Sequence, residues 1–315
     1  MTRTRPESLV LKAPAAANNL INFWFGLLIQ FVNKLRRSLI GYTSVGGSNK
    51  LPPEKAIRYN QQVLNGWLNY WQAYDGSEVD LLGKTVLELG PGADLGLGAL
   101  ALAKGASKYF ALDVFELASG RSDAYYRAGL QHVEKEERLS SAIYEDIIGQ
   151  IGKSRSMDAD RFKYIINPDF NLDLFEENEI DCVFSNAAFQ QFDDPTRTIK
   201  QLSRIIRPGG LFLSTIDFTS HTRWIRDRDP LNIYRYPKFI YEKLRFRGSP
   251  NRFHSSEYEK ALKDNGWKNV KIFPMESYPQ EYVSQVQKSF SPPFNDPNRD
   301  MSLATVVICA QNGKI

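Results

Sequence analysis

The sequence predicts an α/β fold, a doubly wound parallel sheet flanked by helices, on three observations. Apolar runs with the length of buried strands recur at Thr85–Leu89, Lys108–Leu112, Phe162–Ile166 and Leu211–Ile216, and helical patterns lie between them. The first run ends in Gly90-Pro91-Gly92, a turn that removes Cβ atoms where a ligand can lie against bare backbone. The chain has 315 residues and is 42% hydrophobic, enough to bury one large core with additions.

Residues 1–53 precede this pattern and read as an amphipathic helix with a linker. Leu20 to Val32 is apolar except for Asn22, Gly26 and Gln30, which recur every four residues and share one helical face. Lys34, Arg36 and Arg37 follow. Thirteen residues are too few for a helix to cross a bilayer, which takes about twenty. No small-x-small cleavage site separates the apolar run from the basic residues, which disfavours a signal peptide. Two readings of residues 18–40 stay open. One is a helix in a membrane interface, with Trp24 inserted and the basic cluster on anionic headgroups. The other is a helix that packs over the core or closes a dimer. Residues 41–53, rich in Gly, Ser and Pro, form the linker in both.

Residues 54–315 carry the sheet. Thr85–Leu89 is β-branched and Leu-rich, the pattern of a buried parallel strand. Asp94–Lys104 reads as a short helix closed by Gly105, with its first amides facing the same pocket. The second strand ends in Asp113, twenty-five residues beyond Glu88, where a carboxylate can accept both hydroxyls of a ribose. A dinucleotide site would carry a third glycine three residues after the second, and position 95 is Leu. The plainer alternative makes Glu88 and Asp113 solvated strand-end carboxylates. Residues 114–161 exceed one crossover helix, and Tyr125, Tyr126 and Tyr144 are expected to roof the pocket.

Glu88-Leu89-Gly90-Pro91-Gly92 and Ala111-Leu112-Asp113, with Glu179 to Ala187 and Ile206 to Leu213, resemble four ordered motifs of the class I S-adenosylmethionine-dependent methyltransferases, in their type 11-like branch. The resemblance spans roughly residues 60 to 310. It implies a Rossmann-like seven-stranded sheet with the last strand antiparallel, S-adenosylmethionine as cofactor, and methyl transfer as the activity. It further implies that Glu88, Gly90, Pro91, Gly92, Asp113 and Ser185 hold the cofactor, with Asp169 or Phe170 against the adenine. Many relatives carry Glu-His where this chain has Gln190-Gln191, so a histidine contribution there is absent.

The net charge of +4 is unevenly spread. Residues 1–50 and 221–252 each carry +6, which leaves −8 elsewhere. The second basic stretch belongs to a segment after the fifth strand, about residues 217–253, that reads as a substrate cap. Its Trp224, Tyr234, Tyr236, Phe239, Tyr241 and Phe246 alternate with arginines, a mixture suited to stacking on planar or sugar faces while pairing anions. The alternative is a solvated cap whose aromatics bury its underside. Nucleic acid is disfavoured, because the patch is short and no separate RNA-binding module occurs.

Within the cap, Asp217-Phe218-Thr219-Ser220-His221 holds the catalytic candidates. An oxygen or amine nucleophile must lose a proton, and a histidine oriented by a carboxylate suits that task, so His221 is the expected base and Asp217 its partner. A structural histidine is the alternative. The acceptor expected from this segment is a small molecule or glycan-like, anionic ones included, methylated at oxygen. A rival from another class is a non-catalytic cofactor-binding protein that docks a membrane-associated complex.

The remaining residues carry less. Cys182 and Cys309 fall inside strands and read as reduced core residues, consistent with a cytoplasmic protein peripheral to a membrane's inner face. His132, His221 and His254 have no zinc-ligand spacing, so no metal is expected. His132 reads as part of a solvated helical face, and His254 as a helix-opening residue before a capping box at Ser256 to Glu259. Asp194-Pro195 is an N-cap followed by proline at the first helical position. Ser291-Pro292-Pro293-Phe294 reads as a turn, and Val270–Phe273 and Leu303–Ala310 as the last strands.

Overall fold

Alternate side chains along the central strands point to opposite faces of one sheet, and both faces are apolar. The computed structural model describes residues 7–14, 19–40, 51–136, 140–156 and 159–314. Its strands are β1 (Leu9–Val10), β2 (Thr85–Leu89), β3 (Lys108–Asp113), β4 (Phe162–Ile166), β5 (Ile180–Asn186), β6 (Ile206–Asp217), β7 (Trp267–Ser277) and β8 (Leu303–Asn312). The helices are α1 (Asn19–Ile40), α2 (Pro53–Asp75), α3 (Gly96–Ala103), α4 (Asp123–Glu136), α5 (Ser141–Lys153), α6 (Pro195–Ile205), α7 (Arg223–Arg226), α8 (Lys238–Leu244), α9 (Ser255–Asp264) and α10 (Gln280–Gln287). Val86, Tyr109, Phe162 and Phe184 pack with Leu64, Trp67, Leu100 and Ile147 from α2, α3 and α5. Their strand neighbours Leu87, Phe110 and Val183 pack instead with Ile199 and Leu202 of α6 and Leu262 of α9. Burial on both faces is why these strands read as short, nearly continuous apolar runs.

The sheet order is β1-β7-β8-β6-β5-β2-β3-β4. β2 lies between β3 and β5 and pairs parallel with both, Val86 opposite Tyr109 on one side and Cys182 on the other. β8 runs antiparallel to both β6 and β7. The α/β class and the antiparallel end are as the sequence predicts. Among the described residues the sheet has eight strands, not seven, because Leu9-Val10 of the N-terminal extension adds in parallel to β7, and the Leu11 amide donates to Ser277 O at 2.7 Å. A two-residue strand has no periodicity to reveal it. β6 also begins earlier than expected, at Ile206, since Gly209 takes up the turn with a φ of +73° without ending the pairing of Ile206 with Ile180. Residues 114–161 hold two helices, the second capped by Ser140, whose hydroxyl accepts from the Ile143 amide at 3.3 Å. Most of the 41–53 linker and the His132 side chain lie outside the described residues.

Both cysteines are buried and unpaired, and burial pushes their thiols up, which keeps them inert core groups.

The cap has an apolar cluster of its own, in which Leu231, Tyr234, Tyr236 and Tyr241 meet Tyr282 and Val286 of α10. At its centre Arg235 and Asp229 form a buried bidentate ion pair, Nε to Oδ2 at 2.6 Å and a terminal nitrogen to Oδ1 at 3.0 Å. Asn232 Nδ2 donates to the same carboxylate at 2.8 Å and to the Asn22 carbonyl of α1 at 2.9 Å. Tyr236 donates to Phe23 O at 3.2 Å and Arg235 to Asn19 Oδ1 at 2.9 Å, so α1 lies across the cap. A Cβ at Gly26 would run into Asn232 and Tyr236, which is why glycine stands there. The stripe of Asn22, Gly26 and Gln30 therefore faces inward: Asn22 is 5% exposed and Trp24 is 60% exposed. No helix among the described residues is long and apolar enough to cross a membrane.

Asp229→Ala leaves a guanidinium buried without its carboxylate. It is expected to cost about 3–5 kcal/mol in urea unfolding, whereas Arg127→Ala, at the exposed Arg127–Glu145 pair, should leave the midpoint nearly unchanged. Equal shifts for the two variants would contradict the role given to the buried pair.

Candidate functional site

Because β2 to β6 are parallel, their carboxyl ends all open on one side, and there they surround a cavity of about 1430 Å³. The turn after β2 forms its floor. Gly90 and Gly92 have φ of +73° and +74°, and the Gly90 amide donates to Leu112 O at 2.8 Å. A Cβ at Gly90 would lie 2.5 Å from the Ala188 Cβ, while the space beside Gly92 is open. The backbone is thus bare where a ligand would approach it.

Asp113, at the end of β3, faces the cavity and is held by backbone donors. The Gly92 amide reaches Oδ2 at 3.3 Å and the Phe115 amide Oδ1 at 3.1 Å. Burial raises its pKa and those amides oppose the rise. Carboxylate oxygens have further lone pairs, so Asp113 can still accept from a diol. Glu88 also lines the cavity, but it is more deeply enclosed. Tyr109 donates to it, and burial, with Asp94 and Asp113 nearby, pushes its pKa up to about 8. Asp169 and Phe170 stand on the wall after β4, where Phe170 takes a φ of +48° and packs on Phe192 with ring centres 4.3 Å apart. Of the residues expected around the cofactor, Glu88, Gly90, Pro91, Gly92, Asp113, Asp169 and Phe170 share this one cavity.

Ser185 does not join them. Its side chain is fully buried and its hydroxyl donates to Leu89 O at 3.1 Å, tying β5 to β2 behind the cavity wall. Tyr125, Tyr126 and Tyr144 do not roof the pocket either. The Tyr126 hydroxyl accepts from the Leu95 amide at 3.0 Å, and Tyr144 donates to Arg127 O at 2.9 Å, so both serve the helix layer. The cap aromatics divide: Tyr234, Tyr236 and Tyr241 are buried in the cap's own cluster, Trp224 and Phe239 face outward, and Phe246 reaches the cavity.

His221 and Asp217 both line the cavity, opposite the glycine turn in the sequence of strands. Asp217 does not orient the imidazole. Its Oδ1 accepts from the Thr219 amide at 2.8 Å and hydroxyl at 2.6 Å, and its Oδ2 from Arg226 at 2.5 Å. Arg226 also donates to Ser220 O at 2.9 Å, which braces the loop carrying His221. Burial lowers the His221 pKa, Asp217 pulls it up, and Arg226 pushes it down. His254 is a core residue, stacked on Phe218 at 4.3 Å with its pKa pushed down to about 4 by burial. Its amide donates to Glu257 Oε2 at 3.0 Å, so the capping box opens at His254, two residues earlier than the sequence indicates. Asp194 caps α6 as expected, accepting from the Arg197 amide at 2.9 Å. Ser291 donates to Tyr236 O at 2.6 Å inside the cap, away from the cavity.

Sequence reasoning missed the wall supplied by α2. Tyr59 accepts from Asn186 Nδ2 at 3.1 Å, and Asn60 donates to Asp94 Oδ1 at 2.7 Å. A buried asparagine on the face that carries Ile57, Leu64 and Trp67 was the available signal. Gln190, which the sequence marks only as a position where many relatives carry Glu-His, also lines the cavity with a buried side chain, donating to Ala187 O at 2.8 Å while its Oε1 has no partner among the described residues.

Glu88 has a stability consequence that can be measured. The folded chain holds its proton up to about pH 8, whereas an unfolded carboxyl releases it near 4.5. Ionisation therefore opposes folding, and its contribution to stability falls as pH rises across that window. Glu88→Gln should melt increasingly above the parent as pH goes from 5 to 9 and show no such gain at pH 4, which thermal denaturation of the ligand-free protein would read. A difference that does not vary with pH would refute the assignment.

A family model described as a methyltransferase domain matches residues 63–272, two thirds of the chain. No curated protein matches the sequence significantly. Solved structures with a similar fold include an S-adenosylmethionine-dependent methyltransferase from Mesorhizobium loti, at 14% identity and a TM-score of 0.42, covering 79% of this chain and 99% of that one. A second, from Aquifex aeolicus, has 14% identity and a TM-score of 0.39 over 80% of this chain and 88% of its own. The CurJ carbon methyltransferase has 14% identity and a TM-score of 0.43 over 94% and 68%. With the glycine turn, Asp113 and the parallel strand order in place, the chain belongs to the methyltransferase domain family.

Proposed function

We propose that the protein methylates an oxygen of a small-molecule or glycan-like acceptor, with His221 taking the acceptor's proton. The observation that carries this reading is that one cavity holds both the Gly90–Gly92 turn with Asp113 and the His221 side chain. Its volume exceeds what small-molecule sites usually need, about 300–1,000 Å³, which leaves room for two ligands side by side.

When bound, S-adenosylmethionine supplies a methyl group on a positively charged sulfur. Asp113 would accept the ribose hydroxyls, the Gly90–Gly92 backbone would pass against the amino-acid portion, and Asp169 and Phe170 would flank the adenine. Open space beside Gly92 and the acceptor-only chemistry of Asp113 fit that group. The neutral imidazole of His221 would accept the proton of the acceptor hydroxyl as that oxygen takes the methyl group, which the cofactor would supply. Arg226 and burial keep His221 neutral, the form a base requires. Asp217 acts as a positioning residue, through Thr219 and Arg226. Arg197 and Arg247 stand at the same mouth and suit an acceptor that bears a carboxylate or phosphate.

Calorimetry with S-adenosylmethionine tests the cofactor half: Asp113→Ala should weaken binding by about tenfold or more, in line with the loss of a buried charged hydrogen bond. Methyl transfer from labelled cofactor into cell fractions tests the acceptor half. His221→Ala should lower turnover by about a hundredfold or more with cofactor affinity unchanged; full activity in that variant would remove His221 from the chemistry.

The pH profile gives a sharper test. Activity requires the neutral base, so it is lost as pH falls through the His221 pKa, and that acid limb should lie below the ordinary histidine value of 6.5. Arg226→Gln removes the charge that lowers this pKa and should move the limb to higher pH. Asp217→Asn should move it to lower pH.

A further inference from the structure

We infer that the outward face of α1, together with α7 and α8, is a docking surface for an anionic lipid bilayer, and that it sets the mouth of the methyltransferase cavity at the membrane. A helix on a water-soluble protein buries its apolar side and wets its polar side. α1 buries a mixed face and wets an apolar one: Phe23 and Leu27 pack against the cap beside its buried polar residues. Asn22, Gly26, Gln30 and Asn33 face the protein, Asn33 Nδ2 donating to Thr222 Oγ1 at 2.8 Å. Leu20, Trp24, Leu28, Phe31, Leu35 and Leu39, at spacings of three and four, form a continuous exposed stripe on the opposite side. The inward polar contacts fix the helix in this orientation, so the apolar stripe cannot turn away from solvent without breaking them.

The neighbouring elements continue the same face. Thr222, which holds Asn33, is the residue before α7, and Lys34 Nζ donates to the Lys243 carbonyl of α8. α7 presents Trp224 at 69% exposure and α8 presents Phe239 at 66%. Lone exposed apolar residues are ordinary, but two further aromatics beside a six-residue stripe make a patch that needs a partner.

Charge selects the partner. α1 has no carboxylate, and its exposed Arg36 is joined by Arg223 of α7, whose side chain is 89% exposed although Asp227 lies 3.7 Å from it. A second copy would set cations against cations at this face, whereas anionic headgroups complement them, and Trp and Phe are suited to the headgroup boundary. Lys34, held on α8, is not part of the contact expected from the sequence.

The placement bears on the substrate. Arg223, Arg226 and Asp227 of the α7 segment line the cavity, and Trp224 between them faces out beside α1. Resting on the methyl-transfer reading, this makes the acceptor an amphiphile whose polar headgroup enters the cavity from the bilayer surface.

Binding to vesicles tests the docking independently of any activity. The full chain is expected to float with phosphatidylcholine vesicles containing phosphatidylglycerol, about tenfold more strongly than with phosphatidylcholine alone, with Trp emission shifted to the blue and binding weakened by salt. Leu28→Glu with Phe31→Glu should abolish flotation while leaving the melting curve intact, because both positions are exposed; Arg36→Glu should remove the preference for anionic vesicles. Absence of flotation at millimolar lipid by the folded protein overturns the inference. So does a dimer in sedimentation equilibrium that the Leu28→Glu, Phe31→Glu chain no longer forms, since a second copy would then be the occupant. Cofactor binding by calorimetry is read separately, so loss of one result leaves the other standing.

Discussion

The position of β2 between two parallel neighbours is the constraint on which the site depends. Parallel pairing puts the carboxyl ends of β2 to β6 on one side, and the register of Glu88 with Ala111 and Phe184 decides which side chains arrive there. A slip of one residue would exchange the two faces of β2, bringing Leu87 where Glu88 now stands and burying a carboxylate among Leu202 and Phe212. Val86, Leu87 and Leu89 are apolar and suit either helix layer, so it is the cost of burying the Glu88 carboxyl in hydrocarbon that opposes the slip. The polar Glu88 therefore helps to hold the register that brings the glycine turn to the crevice.

A second constraint, the buried Asp229–Arg235 pair, governs the elements that distinguish this chain around that frame. Its carboxylate takes donors from Arg235 and Asn232, and those two residues in turn hold Asn19 and Asn22 of α1. The guanidinium also contacts Ser289 after α10 and lies 5.7 Å from the Phe290 ring centre. A charge pair in an apolar cluster is poor stabilisation compared with hydrocarbon, but it is directional. Here the directions lead to three separate segments, so cap, α1 and α10 take fixed positions relative to the strand ends.

The frame was legible because its signals are local. The short apolar strand runs, Gly90-Pro91-Gly92, the strand-end Asp113 and the Asp194-Pro195 cap each lie within a few residues of sequence, and each occupies the expected place. Ser185 was misplaced for a reason that sequence could not supply: a serine at a strand end can face the cavity or bond to the neighbouring strand, and Leu89 O was the nearer acceptor. The sequence pairs Asp217 with His221 because both fall in one segment and a carboxylate suits a histidine base, yet Arg226, nine residues on from Asp217, competes for the same carboxylate and carries a full charge. The α2 wall and β1 were missed because their meaning comes from contacts with residues far along the chain, Asp94 and Asn186 in one case and Ser277 in the other.

Glu88 and Asp113 both sit near the carboxyl ends of adjacent strands, and the difference between them follows from what surrounds each carboxyl. Both are desolvated, which favours the neutral acid. Asp113 receives amide hydrogen bonds from Gly92, Val114 and Phe115, all of which favour the anion. Glu88 has a single phenol, from Tyr109, and feels the charges of Asp94 and Asp113, so its pKa stands at about 8. At neutral pH Glu88 is therefore mostly a neutral acid, with one O–H to donate, while the anion-stabilising amides are concentrated on Asp113. The backbone of the glycine turn thus does two things at once. It bares the floor of the cavity, and through the Gly92 amide it adds to the Phe115 and Val114 amides that make Asp113 the better acceptor of the two carboxyls.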